Sequence, residues 1–315
     1  MLARLQQCTT LGLLAAALAW AAVFLARGQP VWAAAGTLLI VLGYTLFLAL
    51  EFVLLSRLNR DDPAPRASAA QLLGAWWGEV QTAPQVFCWR QPFRSKAEPD
   101  HLPALPAGRR GVVFVHGFLC NRGIWNPWLA RLRALGVPFV AVNLEPVFGP
   151  IEGYAASVER AVASVEQATG VAPLLVAHSM GGLAVRAWIG AYEADARVHH
   201  VITIATPHGG TWLARFGFSI NSRQMGLAHP WHRDLAAREP ATRSRNFTCF
   251  YSHCDNIVVP ASAGTLPGAD NRHVPGKAHV QLALQETVFQ AVLARLSADG
   301  EGAAAATTVA LAATR

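Results

Sequence analysis

"LLVAHSMGGLAVR" (residues 174–186) is the stretch on which the reading of this chain turns. Leu174 to Ala177 form an apolar, strand-like run. Ser179 follows at a turn, and Gly181 and Gly182 come next. Leu183, Val185, Ala187 and Trp188 then carry the pattern of a buried helix. A serine at such a junction is either a helix N-cap or a nucleophile raised above a sheet. The surrounding segments have to separate the two.

Working outward, apolar runs alternate with helical ones. GVVFV (111–115), PFVAVNL (138–144), APLLVA (172–177), HHVITIAT (199–206) and NFTCFYS (246–252) suit buried strands, and NRHVPG (271–276) a last short one. WNPWLARLRAL (125–135), 151–170 and 280–296 have helical period, and Gly170 ends the second of these. Alternation of this kind predicts an α/β fold with a mainly parallel sheet covered on both faces. Ligands of such sheets bind beyond the carboxyl ends of the strands. Polar residues collect there: His116, Gly117 and Phe118 after the first strand, Ser179 after the central one, Asp255 in HCDNIVVP, and His279 in KAHVQ.

Those motifs resemble the α/β-hydrolases, in particular their bacterial lipase and esterase branch. Ala177-His178-Ser179-Met180-Gly181 stands where that family usually has G-x-S-x-G, with alanine in the first place. His116-Gly117-Phe118 resembles its oxyanion loop, ATPHGGT (205–211) the stretch after its next strand, and YSHCDNIVVP and GKAHVQL its acid- and base-bearing segments. The chain order Ser, Asp, His is the family's order. The resemblance implies Ser179 as nucleophile, His279 as general base and Asp255 as its orienting acid. It places the oxyanion hole at the backbone N–H groups of Met180 and Phe118. Asp234 and Asp270 are rivals for the acid, and His273 for the base. His116, Gly117 and His178 are expected around the bound substrate.

Residues from about 208 to 245 form a long apolar insertion carrying Phe216, Phe218, Ile220, Met225, Leu227 and Trp231. It reads as a lid over an acyl pocket or as a helical insertion packed on the core. The 111–297 segment is thus expected to be the catalytic domain.

The N-terminal part is different in character. Only 14% of the chain is charged, against roughly 25% in soluble domains. Residues 11–26 and 31–50 hold no charged residue, and RGQP separates them. Both approach the ~20 apolar residues a span needs, so 1–56 is expected to be a two-helix transmembrane hairpin. A cleaved signal peptide is the alternative for the first stretch. Arg4, Arg57, Arg60 and Arg66 flank the hairpin while Arg27 lies in its loop. The positive-inside rule then places the catalytic domain on the cytoplasmic side of a bacterial inner membrane, and loss of the first span would invert this. Residues 57–110 read as linkers around an amphipathic helix, AAQLLGAWWGEV (69–80). That helix carries Trp76 and Trp77 for a bilayer interface or for packing on the domain. Residues 298–315 are a low-complexity tail expected to be poorly ordered.

Other function classes fit less well. The formal charge is +7 without a basic stripe interleaved with aromatics, so no nucleic-acid partner is expected. Five cysteines without C-x-x-C spacing and histidines without H-E-x-x-H argue against disulfides and a metal. No cofactor is expected. The residues point to a membrane-anchored, lipase-like carboxylic-ester hydrolase acting on lipid acyl esters. Alternatives are a short-chain carboxylesterase, a lipid-anchor deacylase, transfer to another alcohol, and a catalytically dead scaffold.

Overall fold

Short, mostly apolar runs build all but the last strand of the sheet. The computed structural model describes residues 1–102 and 109–297. Its strands are β1 (Val112–Val115), β2 (Phe139–Ala141), β3 (Leu174–His178), β4 (His200–Ile204), β5 (Phe247–Tyr251) and β6 (Asp270–His273). They form one sheet in the order β2-β1-β3-β4-β5-β6, and every neighbouring pair is parallel. The chain moves outward from β1 to β2, then returns to the other side of β1 for β3. The switch point of the sheet therefore lies between β1 and β3, where such folds open a crevice.

Successive strand side chains point to opposite faces. Val113, Val115, Leu175 and Ala177 accordingly join a core with helices Ala155–Thr169 and Met180–Ala191. Val112, Phe114, Leu174 and Val176 face the helix Asn126–Ala134 and the one over 286–297. Gly170 caps the 155–169 helix with φ +76°, a left-handed conformation that glycine adopts without steric cost. The edge strand β6 carries exposed Asp270, Asn271 and Arg272, polar residues that discourage further strand pairing. The single helix expected over 280–296 is instead a turn at His279–Leu282 followed by a helix over 286–297.

Two apolar helices precede this domain: α1 (Leu2–Ala26) and α2 (Pro30–Leu58). Both are long and apolar enough to cross a membrane. Small residues let them approach closely. A Cβ on Gly36 would sit 1.9 Å from the Trp20 indole, whose N–H donates to Trp32 O at 2.8 Å. The 29 residues of α2 extend about 43 Å at ~1.5 Å per residue, well beyond the ~30 Å hydrocarbon core. The C-terminal turns of α2 dock on the sheet domain. Phe52 and Leu55 are buried with Cys254, Val259 and Ala278.

The 69–80 segment lies in a longer helix, α3 (Ala69–Pro84), opened by a Ser68–Gln71 capping box. It packs between α2 and the domain. Ala75 is buried in the same cluster as Leu55, and the Trp76 indole donates to Thr45 O at 3.0 Å. Trp77 remains exposed. Pro84 lacks a donor for the helical ladder, and the chain continues with π-helical geometry over Gln85–Arg90. The connector also docks. His101 pairs with Phe139 in an antiparallel bridge, and Arg122 and Arg133 hold Asp100 and Glu98. The 298–315 tail lies outside the described residues.

Candidate active site

β3 ends at His178, and the chain turns sharply into the next helix. Ser179 takes φ +54°, ψ −132°, a conformation that costs a non-glycine residue free energy unless its surroundings impose it. They do so here. Its N–H donates to Ile204 O at 2.8 Å, and the Thr206 hydroxyl donates to Ser179 O at 2.9 Å. The turn tolerates only small residues beside it. A Cβ on Gly181 would lie 2.6 Å from the carbonyl oxygens of both Val115 and His116. Ser179 occupies the N-cap position, yet its side chain caps no amide. The N-cap reading of the 174–186 stretch therefore lacks the hydrogen bond that defines it.

Asp255 and His279 meet after β5 and β6. His279 Nδ1 lies 2.9 and 3.0 Å from the two oxygens of Asp255. Asp255 Oδ1 also accepts from the N–H groups of Ile257 and Val258, so the carboxylate is held from three sides. Burial disfavours a charged His279, but Asp255, Glu79 and Glu51 together outweigh it, and the imidazole pKa lies above its usual value. His178, next to Ser179, sets its ring 4.7 Å from that of His279, tilted by 48°, and places Nε2 3.2 Å from His279 O. Among the described residues Ser179 Oγ makes no hydrogen bond to His279; such contacts often tighten only with substrate bound.

The rival residues stand elsewhere. Asp270 pairs with Arg272 on the sheet edge, and Asp234 is exposed on the insertion. His273 packs on His253, with ring centroids 4.5 Å apart.

Gly117 brings the β1 loop against the serine: a Cβ there would lie 2.7 Å from Ser179 Cβ. His116 is buried and braces this loop. Its Nε2 accepts from Leu144 N–H at 3.0 Å, and burial lowers its pKa to about 4, which keeps it neutral. Phe118 leads outward through a chain of rings, 6.1 Å to Phe148 and from there 5.6 Å to Phe218. Phe216 is exposed and packs edge-on against Trp212. Met180 is buried behind the elbow. The insertion is built of short helices, including Ile220–Gln224 and Pro230–Ala237. Among the described residues no group of three or more His, Cys, Asp or Glu side chains is arranged to hold a metal ion.

Three further residues stand near the histidine without belonging to the triad pattern: Glu51, Glu79 and Asn256. Glu79 and Asn256 are almost fully buried and Glu51 nearly so. Glu51 had one available sign, a lone carboxylate closing the apolar run of α2, since charges at such positions are costly and tend to be functional.

The alpha/beta hydrolase family model matches residues 112–311. Among solved structures, the mature form of Bacillus licheniformis lipase BlEst2 superposes with a TM-score of 0.53 at 17% identity, over 62% of this chain and 95% of that one. Aspergillus fumigatus lipase B gives 0.51 at 19% identity, over 62% of this chain and 55% of that one. At these identities the likeness speaks for the fold. No curated protein matches the chain.

Proposed function

This chain belongs to the alpha/beta hydrolase family, and from that premise we propose that it is a membrane-anchored serine carboxylic-ester hydrolase, lipase-like, that cleaves acyl esters of lipids. The observation that carries the reading is the backbone of Ser179. It is held at positive φ with its hydroxyl free of any capping bond, one residue from His178, whose ring lies against His279.

In this reading Ser179 Oγ attacks the ester carbonyl carbon while its proton passes to His279 Nε2. Asp255 holds the imidazole through Nδ1 and stabilises the imidazolium. The carbonyl electron pair moves to oxygen, where the N–H groups of Met180 and Phe118 receive it. Each such donor contributes about 2.7–4 kcal/mol. Collapse expels the alcohol, which takes the proton from His279. Water then repeats the cycle on the acyl-serine and releases the acid. The aromatic chain Phe118–Phe148–Phe218 supplies an apolar wall for the acyl group. The hairpin α1–α2 holds the domain at the bilayer where such esters reside. The arginine distribution supports a cytoplasmic domain.

The test is hydrolysis of p-nitrophenyl esters of two to sixteen carbons by full-length protein in detergent, beside Ser179→Ala. Cleavage by wild type alone supports the nucleophile, and preference for long chains supports the lipid substrate. Preference for short chains would mark a short-chain esterase. If neither protein cleaves any ester, and wild type takes no fluorophosphonate label, the hydrolase reading is wrong.

A further inference from the structure

Two buried carboxylates from outside the catalytic domain converge on the segment carrying His279. Glu79 of α3 accepts from the N–H of Val280 at 3.0 Å and of Gln281 at 3.1 Å, one oxygen to each. Glu51 of α2 accepts from Asn256 Nδ2 at 2.7 Å. Asn256 Oδ1 in turn accepts from the N–H of His279 at 3.2 Å. Asn256 also follows Asp255 directly, so one side chain links the acid segment, the base segment and the anchor helix.

We propose that Glu51 and Glu79 are positioning residues for His279, so that the anchor helix and α3 complete the setting of the general base. The inference rests on the reading of Ser179, His279 and Asp255 as a triad. Its physical ground is cost. A buried carboxylate is strongly disfavoured unless it is paired or well hydrogen-bonded, and an anchor serving only as a tether gains nothing from one. Apolar contacts such as Leu55 against Cys254 and Val259 suffice for docking. Here Glu79 holds the two amides that follow the base, and Glu51 holds Asn256, which accepts from the N–H of the base itself, so main chain as well as side chain is fixed.

The two carboxylates also act through charge. The ionisable groups around His279 are Asp255 from the β5 loop, Glu51 from α2, Glu79 from α3 and His178 from β3. Burial opposes a charged imidazole, Asp255 favours it most, and Glu79 and Glu51 add to Asp255. Burial pushes the Glu79 pKa up to about 7, against the hydrogen bonds from Val280 and Gln281 and the charge of His279. His178 stays neutral, chiefly through burial.

The experiment uses full-length protein in detergent with Glu79→Gln, Glu51→Gln and the double variant. Ester kinetics are followed across pH together with thermal unfolding. For Glu79→Gln, kcat should fall by about tenfold to a hundredfold, as misplacement of a catalytic group does, with KM within about twofold. Where the carboxylates are ionised, removing their charge lowers the imidazolium pKa, so the acidic limb of kcat/KM should move to lower pH, by only part of a full-charge effect because Glu79 itself titrates at about 7. If Glu79→Gln fails to fold, Glu51→Gln decides, because its amide oxygen still accepts from Asn256. A kcat within about twofold of wild type together with an unmoved acidic limb overturns the proposal, even if the melting temperature drops, since a purely structural role moves stability alone. An inert wild type that takes no fluorophosphonate would instead overturn the triad reading. An active wild type with unaffected variants overturns only the role of the two glutamates.

Discussion

Glu239 closes on Arg186 with both carboxylate oxygens, at 2.9 and 2.6 Å. It thereby ties the 208–245 insertion to the helix that begins at the Ser179 turn. Arg186 is 3% exposed and Glu239 13%, so neither charge has much water to fall back on. Removing one partner of such a pair leaves the other buried and uncompensated. Glu239→Ala should therefore destabilise the fold by about 3–5 kcal/mol. Urea unfolding measures this, and a loss below about 1 kcal/mol, the range of exposed pairs, would show that Arg186 finds water or another partner.

Gly181→Ala tests the packing of the elbow. The added methyl would press on two backbone carbonyls of β1 and its loop, and neither can rotate aside as a side chain would. Overpacking of this kind costs about 1–3 kcal/mol. Both a lower denaturation midpoint and reduced esterase activity are expected. Wild-type stability in this variant would mean that helix Met180–Ala191 can slide away from β1.

Asp255→Asn should leave the fold in place and lower kcat by about 10⁴ through the wrong histidine tautomer. In wild type the pKa of His279 lies above 6.5. On the proposed triad, activity needs a neutral His279 and should therefore rise with pH through a limb above that value. A limb centred below 6.5 would contradict the electrostatic setting of His279.

Stability should fall as the solution is acidified from neutrality. His116, His200 and His232 are lowered to about 4 by burial, and burial holds His178 and His208 well below 6.5. Between about 4 and 6.5 the unfolded chain binds these protons and the folded chain does not, so stability rises with pH across that window. Glu79 acts in the opposite sense, because its folded pKa of about 7 lies above its ordinary value. His279, whose pKa is also raised, acts in the same sense as Glu79, and the buried neutral histidines outnumber both. Melting temperatures in detergent at pH 7 and pH 5 measure the balance, and a higher value at pH 5 would overturn this assignment of neutral histidines.

Phe218→Ala removes the outer ring of the aromatic chain that starts at Phe118. Phe218 is 72% exposed, so its loss should hardly touch stability. If the chain lines the acyl path, KM for a twelve-carbon ester should rise severalfold, each buried methylene contributing about 0.8 kcal/mol, while a two-carbon ester is unaffected. Equal effects on both esters would assign Phe218 to some other role.

Much of the domain was legible because its signals are local. Strand runs such as Val112–Val115 and His200–Ile204 declare themselves by composition and length, and Gly170 by its place after a periodic helix. The 69–80 segment shows the limit. Its two tryptophans suit a bilayer and a packed interface equally in composition, and only the partners decide. Trp76 found Thr45, while Trp77 faces outward. Over 280–296 the helical period suggests one continuous helix, because periodicity is blind to a turn that presents its amides to Glu79.

By itself the sequence determined a parallel α/β architecture, an apolar hairpin ahead of it, and the order in which Ser179, Asp255 and His279 follow their strands. Each of these is written in side-chain periodicity and turn chemistry over ten to twenty neighbouring residues. Tertiary structure alone decided that Glu51 reaches Asn256 across 205 positions and Glu79 reaches Val280 across 201. The physical reason is that a hydrogen bond constrains space and leaves no mark on spacing along the chain. A buried carboxylate and its distant partner become recognisable only when the fold has removed the water that either would otherwise keep.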